Sequence, residues 1–393
     1  MPTDPMRGVG SRIATARRAR RMTQRDLADA SGLSHATVRS VERGARRPSD
    51  GTLDALAAAL GIDPSRLLAD GGRVVGKVHA ALPALSDAIA AYDLADDGPV
   101  RPLAELQSAV ADSERWRLGS QYVRLAEAAP ALLAELLRAL HRAPAPERPV
   151  VARLLVSAAR SADAAAYKAG AKDLSARMID LMRWAVPQTE DDLLASVVGY
   201  VRGEVFFAAR AHEPGLRALE SAIDAAPSVS GPTVAAARGA LHMRAAVMAG
   251  RAGRTDRAAD HLAEARVLAQ HTPEGIYAGT AFGPDSVRVH ELSFAVSLQD
   301  PGVDQALAIA RGWAPSRALP PERRSGFYVE LARAQAWGNR REDAFESLCV
   351  ARRIAPQHVR GHAWARETTG TLLRLSRRQD PALTALAEWI GAI

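Results

Sequence analysis

Between Gln24 and Gly44 the apolar positions fall at helical spacing in two short bursts. Leu27, Ala28 and Ala30 mark the inner side of the first. Val38 and Val41, three apart, mark that of the second, while His35, Ala36, Arg39 and Ser40 stay outside. Thr23 is placed to cap the first helix, Gly32 permits a tight turn, and Ser34 caps the second. This spacing predicts helices over about 12–21, 24–30, 35–43, 51–60 and 65–68, with Pro48 and Ser49 opening the fourth and Gly61 closing it. Two short helices joined by a tight turn present the outward side of the second to a DNA major groove.

Beyond residue 150 the pattern changes register. Pro187, Pro227, Pro315 and Pro356 each follow an alanine-rich helical stretch. Counting back from Pro356, Leu331, Ala332, Ala344, Leu348 and Ala351 fall at the packing offsets of a 34-residue helix-turn-helix repeat. From Pro227 the same offsets hold Gly203, Phe206, Leu219 and Ala222, and from Pro315 they hold Phe294, Leu307 and Ala310. A further copy without the proline keeps Ala246, Gly253, Ala258, Leu262 and Ala265. The copies start near Ser196, Gly239, Pro284 and Ser325, so spacings of 43, 45 and 41 residues leave room for long connections. Helical stretches of 361–377 and 381–393 are expected to cap the array.

Composition agrees with an all-α chain. It is 393 residues long and 48% hydrophobic, rich in alanine, leucine and arginine and poor in β-branched and aromatic residues, so several domains with substantial cores are expected. A single cysteine, Cys349, excludes disulfide stapling, and it falls at a packing position where an inert thiol is expected. No signal-like apolar segment follows Met1 and no apolar run reaches membrane length, so a cytoplasmic protein without membrane association is expected. The formal charge of +7 is unevenly spread. Arg7 to Arg47 contains eleven arginines against Asp26, Asp29 and Glu42, a local surplus of +8, and the remainder is near neutral. Such concentration is the electrostatic footprint of a phosphate-binding surface.

Residues 11–68 resemble the phage-repressor-like, or XRE, family of helix-turn-helix regulators. The resemblance rests on Thr23-Gln24, Leu27-Ala28, Gly32-Leu33-Ser34, Val38, Val41-Glu42-Arg43-Gly44, Arg47-Pro48 and Leu56-Ala57 with Ala59-Leu60-Gly61. It implies that Gln24, with the helix N-terminus behind it, and Arg43, Arg46 and Arg47 hold phosphates. It further implies that Ser34, His35, Ala36, Thr37, Arg39 and Ser40 line the DNA, with His35, Ala36 and Ser40 at base-reading positions. Arg17 and Glu42 match a structural ion pair, and a homodimer on two operator half-sites is expected.

The C-terminal array resembles the tetratricopeptide family, which implies a right-handed α-solenoid. The whole chain is then divided into a DNA-binding domain over 1–70, a linker with a connecting helix over 71–100, and a repeat domain over 101–393. The architecture is similar to peptide-sensing regulators and to actinobacterial regulators, in which a segment like Thr280 to His290 recurs. Family offsets put Tyr200, Glu204, Phe207, Met243, Val247, Asp285, Arg288, Arg333 and Trp337 in the ligand groove. A small-molecule or peptide effector is implied. Peptide-sensing members clamp the peptide backbone with asparagines, whereas this chain has one, Asn339, in a loop. The rival expectation is an interaction protein that captures a partner's tail, with DNA binding secondary.

No enzyme, cofactor or metal is expected. Gly71 to Lys77 has P-loop-like spacing, but Val78 stands where a magnesium-binding hydroxyl is needed, and the segment reads as linker. His358 and His362 are four apart without completing ligands and read as a surface pair.

Overall fold

A computed structural model describes residues 9–45, 48, 50–62, 67, 74–94, 97–298, 300–376 and 380–393. The fold is all-α, a small N-terminal unit followed by a helical repeat region. The N-terminal unit contains α1 (Val9–Ala19), α2 (Gln24–Ser31), α3 (His35–Glu42) and α4 (Asp50–Ala59). The Thr23 hydroxyl accepts from the Asp26 amide while the Asp26 carboxylate accepts from the Thr23 amide, a reciprocal cap that starts α2. Gly32 ends α2 at φ 67°, the left-handed conformation that lets the chain turn at once into α3. There Ser34 accepts from the Thr37 amide. Leu27, Ala28, Val38 and Val41 are buried with Ile13, Leu53, Leu56 and Leu60. Ala30, expected inside, is exposed: the buried side of the eight-residue α2 is filled by Leu27 and Ala28. Of the expected fifth helix only Leu67 is described; 63–66 and 68 lie outside the described residues, as do 71–73 of the glycine-rich segment.

The body begins with α5 (Val74–Ala88), which lies in the expected linker but packs on α7 with Leu85 and Ile89 in the main core. Then come α6 (Leu103–Leu118), α7 (Tyr122–Arg142), α8 (Arg148–Lys168) and α9 (Lys172–Ala185). Four helical hairpins follow: α10 (Asp192–Ala209) with α11 (His212–Ala225), α12 (Pro232–Arg251) with α13 (Thr255–Gln270), α14 (Pro284–Ser297) with α15 (Asp300–Ala310), and α16 (Pro321–Trp337) with α17 (Arg341–Ile354). They coincide with the four repeat copies read from the sequence. Their small residues do what hairpin packing requires, since Ala246, Ala258, Ala265, Ala332, Ala344 and Ala351 are fully buried where helices meet. The chain closes with α18 (Pro356–Gly361), α19 (Ala363–Leu375) and α20 (Pro381–Ile390).

One element has no counterpart in the sequence reading. Between α13 and α14, β1 (Gly275–Tyr277) pairs antiparallel with β2 (Thr280–Phe282), Ile276 opposite Ala281, through a turn with φ positive at both Ala278 and Gly279. Phe282 anchors this hairpin. Its ring presses so closely on Gly239 of α12 that a Cβ there would stand 2.0 Å from Cζ, so only glycine fits beneath it.

Candidate functional site

On the N-terminal unit, α3 turns Val38 and Val41 into the core and leaves His35, Ala36, Arg39 and Arg43 exposed beside the cap residue Ser34, with Thr37 and Ser40 half-buried. Beneath this face Glu42 ties three elements together. It receives Arg17 Nε at 2.7 Å and Nη2 at 3.0 Å, and Gln24 Nε2 at 2.7 Å. Burial pushes the Glu42 carboxyl up, but the hydrogen bonds from Arg17 and Gln24 outweigh it and hold the group below the usual range. Gln24 is therefore oriented at the start of α2 with its second amide hydrogen left for another acceptor. Arg46 and Arg47, read as phosphate contacts, lie outside the described residues.

The opposite side of the unit rests on the end of the body. Trp364 and Ala363 pack against its core, Arg12 Nη2 meets Glu367 Oε2 at 3.0 Å, and Arg210 donates to the Ile62 carbonyl. Arg333 stacks beneath Trp364, 3.7 Å from the ring centroid, and also reaches Trp337 and Glu330. This places Arg333 and Trp337 at the junction rather than in a groove, because the last hairpin turns their side of α16 towards the docked unit.

Inside the body, a cleft of about 350 Å³ opens among α6, α8, α10, α12 and α16, with the β-hairpin across one side. Tyr200, Glu204, Phe207 and Val247, four of the residues read from repeat offsets, line it. Three do not. Met243, one helical turn before Val247, points into the core and is fully buried. Asp285 accepts from the Ser316 amide, and Arg288 stacks on Trp313 and donates to the Ile309 carbonyl, so both serve the packing of the α14–α15 hairpin.

The sequence reading missed the cleft's arginines. Arg160 of α8 is buried and donates to the Ala278 carbonyl at 2.5 Å and to the Thr280 hydroxyl. Arg117 of α6 donates to the Gly279 carbonyl at 3.0 Å. Arg244 lies 4.0 Å over the Tyr200 ring, and Arg323 donates to the Tyr200 hydroxyl at 2.7 Å. Burial alone would raise the Tyr200 phenol, yet Arg244 and Arg323 bring it down to about 8. His290 donates from Nδ1 to the Ser286 carbonyl, and burial with the nearby Arg323 pushes it down to about 3, so it stays neutral. Arg117 and Arg160 come from helices outside the four copies and Arg323 from a helix start, while Arg244 and His290 lie within copies at positions that the family offsets do not address.

His358 and His362 are not a surface pair. His358 is buried, its Nδ1 is 2.7 Å from the Ser325 hydroxyl, and the two rings stand edge to face at 5.1 Å beside an apolar pocket with Tyr122 and Val78. Burial drives His358 down to about 4. The misreading has a clear cause: α5, α7 and α8, remote in sequence, cover them. Cys349 is half-buried, and burial raises its thiol. Among the described residues no cluster of His, Cys, Asp and Glu suits a metal, and no helix is long and apolar enough to cross a membrane.

Geometry and cap pattern define the N-terminal unit as a helix-turn-helix domain. The helix-turn-helix family model matches residues 13–67. Over 62 residues the chain is 40% identical to the immunity repressor protein of Bacillus phage phi105, a match covering 16% of this chain and 43% of that protein. Thus the chain spans less than half the length of this curated relative. A solved structure of PlcR from Bacillus thuringiensis, in complex with a peptide and DNA, aligns over 67% of this chain and 95% of its own. Its identity is 15% and its TM-score 0.28, too low for the likeness to carry an argument.

Proposed function

We propose that this protein is a sequence-specific transcription regulator that binds operator DNA as a homodimer through residues 11–68. In this proposal 1–70 form the DNA-binding domain, 71–100 the connection and 101–393 a tetratricopeptide-like body that pairs protomers and senses an effector. The carrying observation is the exposed outward face of α3, with His35, Ala36, Arg39 and Arg43 displayed while the unit's other side is held by Trp364 and Glu367. A helix so presented can enter a major groove without leaving the body. The immunity repressor resemblance supports the same reading of the domain.

In this mechanism Gln24 and Arg43, with Arg46 and Arg47, engage phosphates and fix the register. His35, Ala36 and Ser40 meet base edges, flanked by Ser34, Thr37 and Arg39. An effector in the cleft shifts the balance between DNA-competent and incompetent dimers through its differential affinity for the two. Its route is short, since α16 contributes Arg323 to the cleft and Arg333 to the junction with the head.

Selection of genomic fragments on the purified protein at physiological salt tests the reading. A shared inverted repeat with half-sites about one helical turn, roughly 34 Å, apart is expected. Arg43→Ala should lower the slope of log affinity against log salt by about 1. An unchanged slope refutes the phosphate role, and retention of no sequence above background, with or without a metabolite extract present, refutes the regulator reading.

A further inference from the structure

The cleft has an imbalance of charge that its own side chains do not resolve. Arg117, Arg160, Lys168, Arg244 and Arg323 line it against Asp163, Glu204 and Glu322. Lys168 and Glu322 satisfy each other at 2.6 Å. Arg244 is 3.5 Å from Glu204. The partners of Arg160 are neutral, a carbonyl and a hydroxyl, and Arg117 Nε is buried with no acceptor. Asp163 offers them little. It accepts from the Ser175 hydroxyl at 2.5 Å, and burial together with Glu204 pushes its carboxyl well above the usual range. Burial with the neighbouring Arg117 brings Arg160 down to about 9, the behaviour of a guanidinium lacking a counter-charge.

A buried cation without an anion is costly, because its desolvation is not repaid by a counter-charge. Part of the lining is apolar. Val201, Phe207 and Val247 face the same space, and about 350 Å³ holds a compact ring-bearing molecule but no extended peptide. We propose that the cleft binds a compact organic anion bearing two negative charges, its charged group held by Arg117, Arg160 and Arg323 and its apolar part laid against Phe207 and Val247. Arg160 and Arg117 also hold the turn of the β-hairpin at Ala278 and Gly279, so an anion that takes over their N–H groups competes with the hairpin for them. This identifies the chemical class of the effector proposed above and rests on that reading for its regulatory consequence alone.

The test uses the full chain without DNA, at constant ionic strength set with sodium chloride. Calorimetry and thermal unfolding are run with phenyl phosphate, phthalate, inorganic phosphate, neutral benzyl alcohol and cationic benzylamine. Saturable binding and stabilisation are expected for phenyl phosphate or phthalate, the two arms distinguishing a phosphoryl from a carboxylate head group. Weaker binding is expected for inorganic phosphate, and none for the neutral and cationic rings. Arg160→Met should weaken the bound anion by about 10- to 100-fold, the loss of hydrogen bonds to a charged group. Arg117→Met provides the same readout should Arg160→Met not fold. The proposal is overturned if no anion exceeds chloride, if benzyl alcohol binds as tightly, or if the folded variants bind undiminished. Anion binding that leaves operator affinity unchanged would sustain this site and refute its regulatory role. Operator binding by a chain that binds none of the anions would refute this site and leave the regulator reading standing.

Discussion

Replacing Glu42 by alanine tests whether the ion pair beneath α3 holds the helix-turn-helix unit together. The carboxylate accepts three N–H groups from two elements, and the side chains of Arg17 and Glu42 are 12% and 5% exposed. Breaking a buried pair by removing one partner costs about 3–5 kcal/mol. Arg17 stays bonded to the Met22 carbonyl at 2.7 Å and sits near the rim, so a lower value, about 2–3 kcal/mol, applies here. Native-state hydrogen exchange on the full chain reads this directly: amides of α1 and α3 should exchange about 30- to 150-fold faster in Glu42→Ala while those of α12 and α13 do not change. The effect has a defined pH sense. Because the folded Glu42 lies below its unfolded value, its stabilisation is complete above the ordinary glutamate range and disappears as pH falls through the depressed folded value. The gap between the unaltered chain and Glu42→Gln should therefore narrow as pH falls below the ordinary glutamate range. Exchange within threefold of the unaltered chain at pH 7 would refute the argument.

Two other perturbations probe different links. Trp364→Ala removes a ring shared by the helix-turn-helix core and the body, and at about 2 kcal/mol for a half-buried aromatic it should speed exchange in both α1 and α19. Faster exchange in α19 alone would mean that the docking contributes nothing. Gly239→Ala places a methyl group against Phe282 and should lower thermal stability by about 1–3 kcal/mol, with Phe282→Leu in the same chain recovering part of it; an additive double variant would show the two do not conflict.

How far the molecule was legible from its sequence followed the range of the interactions involved. The cap residues Thr23 and Ser34, the turn at Gly32 and the inward pair Val38 and Val41 act within a few residues of themselves, so α2 and α3 could be delimited almost to the residue. The hairpins could be located because Ala332, Ala344 and Leu348 must be small or apolar wherever two helices close on each other. Tyr200, Glu204 and Phe207 were placed on the cleft side because they share one face of a single helix. Arg160 could not be found in this way, since its neighbour Thr280 is 120 residues away and only the assembled body brings them together. The same is true of His358 and His362, hidden by helices that precede them by about 190 to 280 residues. The three-residue strands around Ala278 were too short for any alternation to show.

The bond from Arg12 to Glu367 joins residues 355 apart in the chain, and Trp364 is laid down with it. The helix-turn-helix unit is built from near neighbours and can close as soon as it leaves the ribosome, whereas its brace arrives with the last helices, about 15–60 s later at about 5–20 residues per second. Each molecule thus passes its infancy with a finished recognition helix and an open flank of Val9 and Arg12, and acquires its steadying contact as nearly the last act of synthesis. A chain cut short by premature termination keeps the helix-turn-helix unit and lacks the contacts that brace it.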